Sequence, residues 1–249
     1  MRFLVATALL VLVQTMSAQS VSALIARGDK EDKANRNSSA LEIYLLADKQ
    51  QPDDPDILYR ISKQQAQLML DAKSTAQKKA IGAKALDAAT RAVKFGPDNS
   101  QAHLALAVVY GRLALLESPG KQIEMSRLIH DEAATAVRLD PKNDIAWYVL
   151  GRWNYELANL NPILKALAQT IYGKFPDASN ENALAAFRKA AAIDPKSVMH
   201  QIELGRTLAI LGKNDEARKA IETGLALPSR AMDDEETKQR GRDTLEKLK

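Results

Sequence analysis

The chain has 249 residues, 46% of them hydrophobic but only 5% aromatic, with 11 Gly, 9 Pro and no Cys. That balance describes an Ala/Leu-rich helical protein, long enough for one or two domains and a sizeable core. A net charge of +4, with acids and bases mixed along the chain, excludes a nucleic-acid stripe, and the absence of Cys excludes disulfides, thiol nucleophiles and Cys-held metals.

Met1 and Arg2 precede an apolar run, Phe3 to Val13, followed by small and polar residues to Ala23. The pattern predicts a secretory signal peptide over 1–23, cleaved after Ala18 or, better by the small-residue rule, after Ala23. The run is too short to cross a bilayer as a helix, so no transmembrane span is expected in the mature chain 24–249. An exported protein, periplasmic or secreted, is the expectation; an uncleaved N-terminal membrane anchor is the alternative.

Beyond the leader one pattern recurs: Ala, a larger residue four on, Ala three further, Pro five beyond. Its copies are Ala40, Tyr44, Ala47, Pro52; Ala85, Ala89, Ala92, Pro97; Ile129, Ala133, Ala136, Pro141; and Ala183, Phe187, Ala190, Pro195. A fifth, Ala217, Ile221, Gly224, meets Pro228 one place early. Small residues let two antiparallel helices approach, the large one fills the space between them, and the Pro ends the helix. This is the second helix of a tetratricopeptide repeat.

First helices precede each copy, marked by Leu24 and Gly28, Leu58 and Ile61, Ala102 with Leu106 and Tyr110, Trp147 to Tyr155, and Leu204 to Leu208. The closing prolines lie 45, 44, 54 and 33 residues apart. Against a period of about 34, repeats two and three carry extra residues and repeat four more still. The surplus in repeat four, NPILKALAQTIYGKFPDAS, predicts an extra amphipathic helix: Asn161 caps it, Pro162 opens it, Gly173 ends it, and Ile163, Leu164, Leu167, Ile171 and Tyr172 form an apolar stripe. It is expected either to fill the groove of the superhelix or to wall an apolar channel. A last helix, about Asp233 to Leu248, starts acidic and ends basic, as a polar cap would. The predicted fold is all-α: an α–α superhelix of about five helix pairs in one domain, plus a capping helix.

Enzyme templates find no match. His103, His130 and His200 lack metal-ligand spacing, no Gly-rich loop follows a strand, and the acid pairs sit in turns or at a helix start. No cofactor or metal is expected. What remains is binding on the concave face, which first helices line. The repeat template turns inward Tyr59 and Lys63; Leu104, Val108 and Arg112; Ile145, Tyr148, Arg152 and Tyr155; and Met199, Ile202 and Arg206. Of these, Tyr59, Lys63, Arg112, Tyr148, Arg152, Tyr155 and Arg206 are the candidate ligand residues, because Tyr and Arg anchor peptides and anions. The alternative is that the arginines pair with nearby acids and the tyrosines pack on the insertion. Trp147 is expected in the core, and Trp153 against the insertion or a neighbouring helix.

The stretch from Asp144 to about Leu227 resembles the regulator of microtubule dynamics family in LGRWNYELANL, IYGKFPDAS, ENALAAFRKAAAIDP and ELGRTLAILGKNDEARKAIETGLALP. The resemblance implies a helical repeat domain without catalysis. Animal members are associated with microtubules or the mitochondrial surface, and the repeat domain of one mitochondrial tether binds phospholipids. This chain departs from them in its signal-like N-terminus and lack of a coiled coil, which suggests an exported bacterial member. The expected function is a scaffold that binds a protein or peptide partner; the alternative is a carrier of a phospholipid or other apolar ligand.

Overall fold

The computed structural model describes residues 20–248. The apolar run Phe3 to Val13 and the cleavage point after Ala18 lie outside them. The described residues form twelve helices and no strand. Five pairs follow one another: α1 (Val21–Lys33) with α2 (Asn37–Gln50), α3 (Pro55–Asp71) with α4 (Thr75–Phe95), α5 (Ser100–Ala114) with α6 (Pro119–Leu139), α7 (Asp144–Ala158) with α9 (Asn180–Ile193), and α10 (Val198–Ile210) with α11 (Asn214–Ala226). The insertion is α8 (Pro162–Tyr172), and α12 (Asp234–Lys247) closes the chain. None of these helices is long and apolar enough to cross a membrane.

Every first helix starts at a side-chain cap. Ser20, Asp54, Asn99, Asn143 and Ser197 each accept a hydrogen bond from a backbone N–H of the following turn. Each such cap stabilises its helix by about 1 kcal/mol. Because α1 begins at Val21, ahead of the predicted boundary, a cut after Ala23 would remove its Ser20 cap and first turn, whereas a cut after Ala18 would spare both.

Within a pair, volume is exchanged between the two helices. Gly28 lies against the Tyr44 ring, a Cβ on Gly151 would stand 2.6 Å from Phe187, and one on Gly205 would stand 2.5 Å from Ile221. Tyr44, Phe187 and Ile221 are fully buried there. In repeat two, where the second-helix slot holds only Ala89, the first helix carries Ser62, which donates to the Ala85 carbonyl at 2.9 Å. The surplus of repeats two and three lengthens their second helices: α4 and α6 have 21 residues each, against 14 in α2 and α9.

Those extra turns decide where the insertion goes. The caps of α8 are as predicted, with Asn161 accepting from Leu164 N–H at 2.9 Å and Gly173 at φ 82°. Its place is not. α8 packs on the N-terminal half of α6, with 2.6 Å between the Tyr172 and Ser126 hydroxyls and 3.0 Å from Arg127 to the Ile171 carbonyl. It therefore neither fills nor walls the first-helix groove, because the extended α6 offers it a shelf on the second-helix side. Only Ala168 of α8 is buried, and Ile163 is 80% exposed.

The C-terminal segment does more than cap. α12 packs on α10 and α11, where Gly241 admits Ile202, and Leu245 joins Val198, Ile202 and Ile221. Ahead of it the chain reaches back to the first repeat. Asn35 donates to the Arg230 carbonyl at 2.8 Å, and Asn37 donates to Met232 Sδ at 3.5 Å.

Candidate functional site

Successive first helices are joined by polar contacts along one stripe. At the N-terminal end Asp29 accepts from Arg60 Nε at 2.9 Å and from the Tyr44 hydroxyl at 2.7 Å. Burial acts to raise the Asp29 pKa, but these donors hold it below the ordinary carboxylate value of 3.8. Lys63 reaches Asp32 at 2.6 Å. Tyr59 packs half-buried on Leu58, Ala92 and Ala102, with the Arg60 guanidinium 4.7 Å from its ring centroid.

At the C-terminal end four of the predicted residues meet around one that the sequence pattern did not single out. Glu203 of α10 is fully buried, and three arginines surround it: Arg206 at 2.7 Å, Arg240 of α12 at 3.6 Å and Arg152 of α7 at 3.7 Å. Arg152 also binds Glu156 at 2.6 Å, and Arg206 lies 5.6 Å from the Tyr155 ring centroid. Tyr148 sits against Phe187 and His200, at 5.9 and 5.8 Å between centroids. Burial raises the Tyr148 pKa. Burial works against the charge on Arg152, yet Tyr148, Glu203 and Glu156 hold its pKa above the ordinary range. His200, fully buried, contacts Asp144 at 2.8 Å; burial would raise the Asp144 pKa, but His200 and two backbone N–H groups keep it low.

Between the two ends stands Arg112 of α5. It donates to Gln67 Oε1 at 3.0 Å, and its Nε is buried without an acceptor. It has no carboxylate within 4.0 Å among the described residues; Asp233, just ahead of α12, is felt only at longer range. Burial lowers its pKa, against the opposing influence of Asp233 and Tyr148.

The seven candidates therefore divide. Tyr148, Arg152, Tyr155 and Arg206 converge on Glu203, Tyr59 and Lys63 are engaged near repeat one, and Arg112 stands apart. Two further residues expected to face the groove are core instead: Leu104 packs with Ala136 and Ala146, and Ile202 is fully buried among Val198 and Ile221. First helices also pack against the second helix before them and against α12, which turns those positions inward to the core. Trp147, expected in the core, is half-buried and donates to the Pro141 carbonyl at 3.0 Å. Trp153 meets a neighbouring helix, its ring 4.3 Å from that of His130 in α6. One signal for Glu203 was present in the sequence: it lies three residues before Arg206, a spacing that pairs charges on a helix.

Known proteins agree with this architecture. The structure superposes on a thermophilic tetratricopeptide-repeat protein from Thermus thermophilus with a TM-score of 0.63 at 18% identity, covering 91% of this chain and 99% of that one. Regulator of microtubule dynamics protein 3 of Mus musculus is 27% identical over 84% of this chain and 44% of its own length. Regulator of microtubule dynamics protein 2 of Homo sapiens is 26% identical over 79% of this chain and 48% of its own. The chain thus spans less than half the length of these curated relatives. The family model for regulator of microtubule dynamics proteins 1–3 matches residues 22–249. The chain belongs to the regulator of microtubule dynamics family.

Proposed function

We propose that this protein is a non-catalytic helical-repeat scaffold that holds a segment of a protein partner along its first-helix face. The observation that carries this reading is Arg112: a half-buried guanidinium whose near partner is an amide, with no carboxylate within 4.0 Å among the described residues. Buried cations are ordinarily paired, and an arginine so placed in an inner row is suited to a ligand's acceptors. Tyr59 and Lys63 extend the same face toward repeat one. The family and the fold agree with a scaffold. The carrier reading is the weaker one, because α8 lies on α6 and not over the first-helix face.

A photo-crosslinking residue tests the location. Placed at Tyr59, on the first-helix face, it should form a protein adduct in cells of the source. Placed at Glu222, on the exposed side of α11, it should not. Arg112→Met should remove the Tyr59 adduct. Adducts of equal yield at both positions, indifferent to Arg112, would reject the site. For location we propose export, on the apolar run Phe3 to Val13. N-terminal sequencing of protein recovered outside the cytoplasm checks it, and an intact Met1 would count against cleavage.

A further inference from the structure

A second place on the molecule combines open space with buried acceptors that lack donors. α2 and α4 both pack on α3, with little contact between them. A cleft of about 410 Å³ is left between the two. Its floor is Leu58, Ile61 and Gln65 of α3, and its walls are Leu45 and Asp48 of α2 and the face of α4 that carries Asp87 and Arg91. Gln65 and Gln67, the partner of Arg112, are two residues apart and so point about 200° apart around α3. The cleft therefore lies away from the face assigned to the protein partner, and the volume suits a small ligand group.

The acceptors of this cleft are short of donors. Gln65 is only 9% exposed, and its Oε1 is buried without a hydrogen-bond partner. Asp48 Oδ1 is buried in the same condition. Arg91 stands 4.0 Å from Asp48, too far for a hydrogen bond, because its Nε and Nη2 are committed to Asp53 at 3.1 and 2.6 Å. Asp87 lies 3.7 Å from the same guanidinium, so one arginine serves three carboxylates. Lys84, on the exposed rim, forms no ion pair within 4.0 Å among the described residues. A buried acceptor left without a donor is costly, and a charged one more so.

A cation with several N–H donors satisfies both oxygens at once. An ammonium carries three donors on one compact atom and brings an aliphatic stem with it. Leu45, Leu58 and Ile61 supply an apolar bed for that stem, with Leu45 40% exposed at the mouth. A guanidinium fits less well, since its planar fork prefers both oxygens of one carboxylate, and only one oxygen of Asp48 is unmatched. A metal ion needs about six oxygen ligands, and no metal-holding group of acids and histidines forms among the described residues. We propose that the cleft between α2 and α4 binds an aliphatic primary ammonium, with Asp48 and Gln65 accepting from its N–H groups and Leu45, Leu58 and Ile61 covering its stem. A free alkylamine and the lysine side chain of a protein carry the same chemistry, and experiment separates the two.

The test titrates the full chain with three probes and follows backbone amide NMR shifts. The probes are n-pentylamine, uncharged pentan-1-ol, and the tripeptide Gly-Lys-Gly blocked at both ends. Pentylamine should bind with a Kd on the order of 1 mM, the range open to so small a ligand. It should shift amides around Asp48, Gln65 and Asp87 and leave those around Glu203 unmoved. Pentan-1-ol keeps the stem and loses the charge, and should bind about tenfold more weakly. Asp48→Asn keeps the shape of the side chain and should weaken pentylamine about tenfold, the value of one charge-assisted contact. Ala83→Phe, at an exposed position on the cleft wall, should block binding with both acceptors intact.

Equal affinity for amine and alcohol would reduce the site to an apolar cleft and overturn the proposal. So would an absence of shifts at tens of millimolar amine, or a folded Asp48→Asn chain that binds pentylamine as the native chain does. Should Asp48→Asn not fold, Ala83→Phe decides: lost binding supports the site and unchanged binding rejects it. A peptide that binds at least as tightly as pentylamine supports the site and assigns it to a lysine of a protein; binding of the free amine alone supports it and assigns it to a small molecule.

Discussion

Arginines at two places in the same inner row are held in opposite ways. Around Glu203, three of them share one fully buried carboxylate, with Glu156 and Glu236 satisfying outer nitrogens. At Arg112 an amide is the near partner and no carboxylate lies within 4.0 Å among the described residues, whereas a buried Nε without an acceptor is common to Arg112 and Arg240. The first arrangement locks α7, α10 and α12 together and has little to offer a ligand. The second joins α5 to α3 through one amide contact. Residue type alone would treat the two places alike; the distribution of carboxylates separates a structural joint from an arginine with no near acid.

The largest test of that contrast is Glu203→Gln. Removing the shared charge leaves three guanidinium groups crowded together, and breaking such a buried pair costs about 3–5 kcal/mol. Urea unfolding should show a midpoint lowered accordingly, and α12 should lose protection first. Arg112→Met should move the other way. An apolar side chain in place of a poorly satisfied buried cation should raise stability by about 1 kcal/mol in the same assay; a loss of similar size would mean Arg112 belongs to the structural set.

The smallest effect concerns acid. Asp29 and Asp144 have folded pKa values below the ordinary 3.8. Each therefore adds stability above that pH, and the contribution disappears as pH falls through the lower folded value. Both are partly exposed, so each is worth less than about 1 kcal/mol after solvent screening. Urea unfolding should show Asp144→Asn lowering stability slightly at neutral pH, with the difference from the native chain vanishing as pH falls from 5 to 2.

The helices were legible because their signals are local. Asn161, Pro162 and Gly173 delimit α8 whatever it packs against, and the Ala–large–Ala–Pro phase follows from the need to fit one helix onto the next. Docking is not local. That α8 lies on α6 depends on extra turns contributed by a different repeat, and its apolar stripe alone could not choose between the groove and the outer row. The inner-row arginines were found by template position, but Glu203 and Arg240 complete their cluster from α10 and α12. A periodic template carries no information about a helix beyond its last period. Arg112 was singled out for its type and slot; the absence of a nearby acid, which gives it interest, appears only when every neighbouring element is in place.

The contact from Asn35 to Arg230 changes how the array should come apart. An open chain of repeats frays from either end, each unit releasing only its neighbour. Here the first loop and the approach to the last helix hold one another, so the two ends share a fate. Loosening at α1 would be transmitted to the approach to α12 without passing through the four repeats between. The molecule should therefore behave less like a zipper than like a clasped bracelet, in which one small fastening governs both ends.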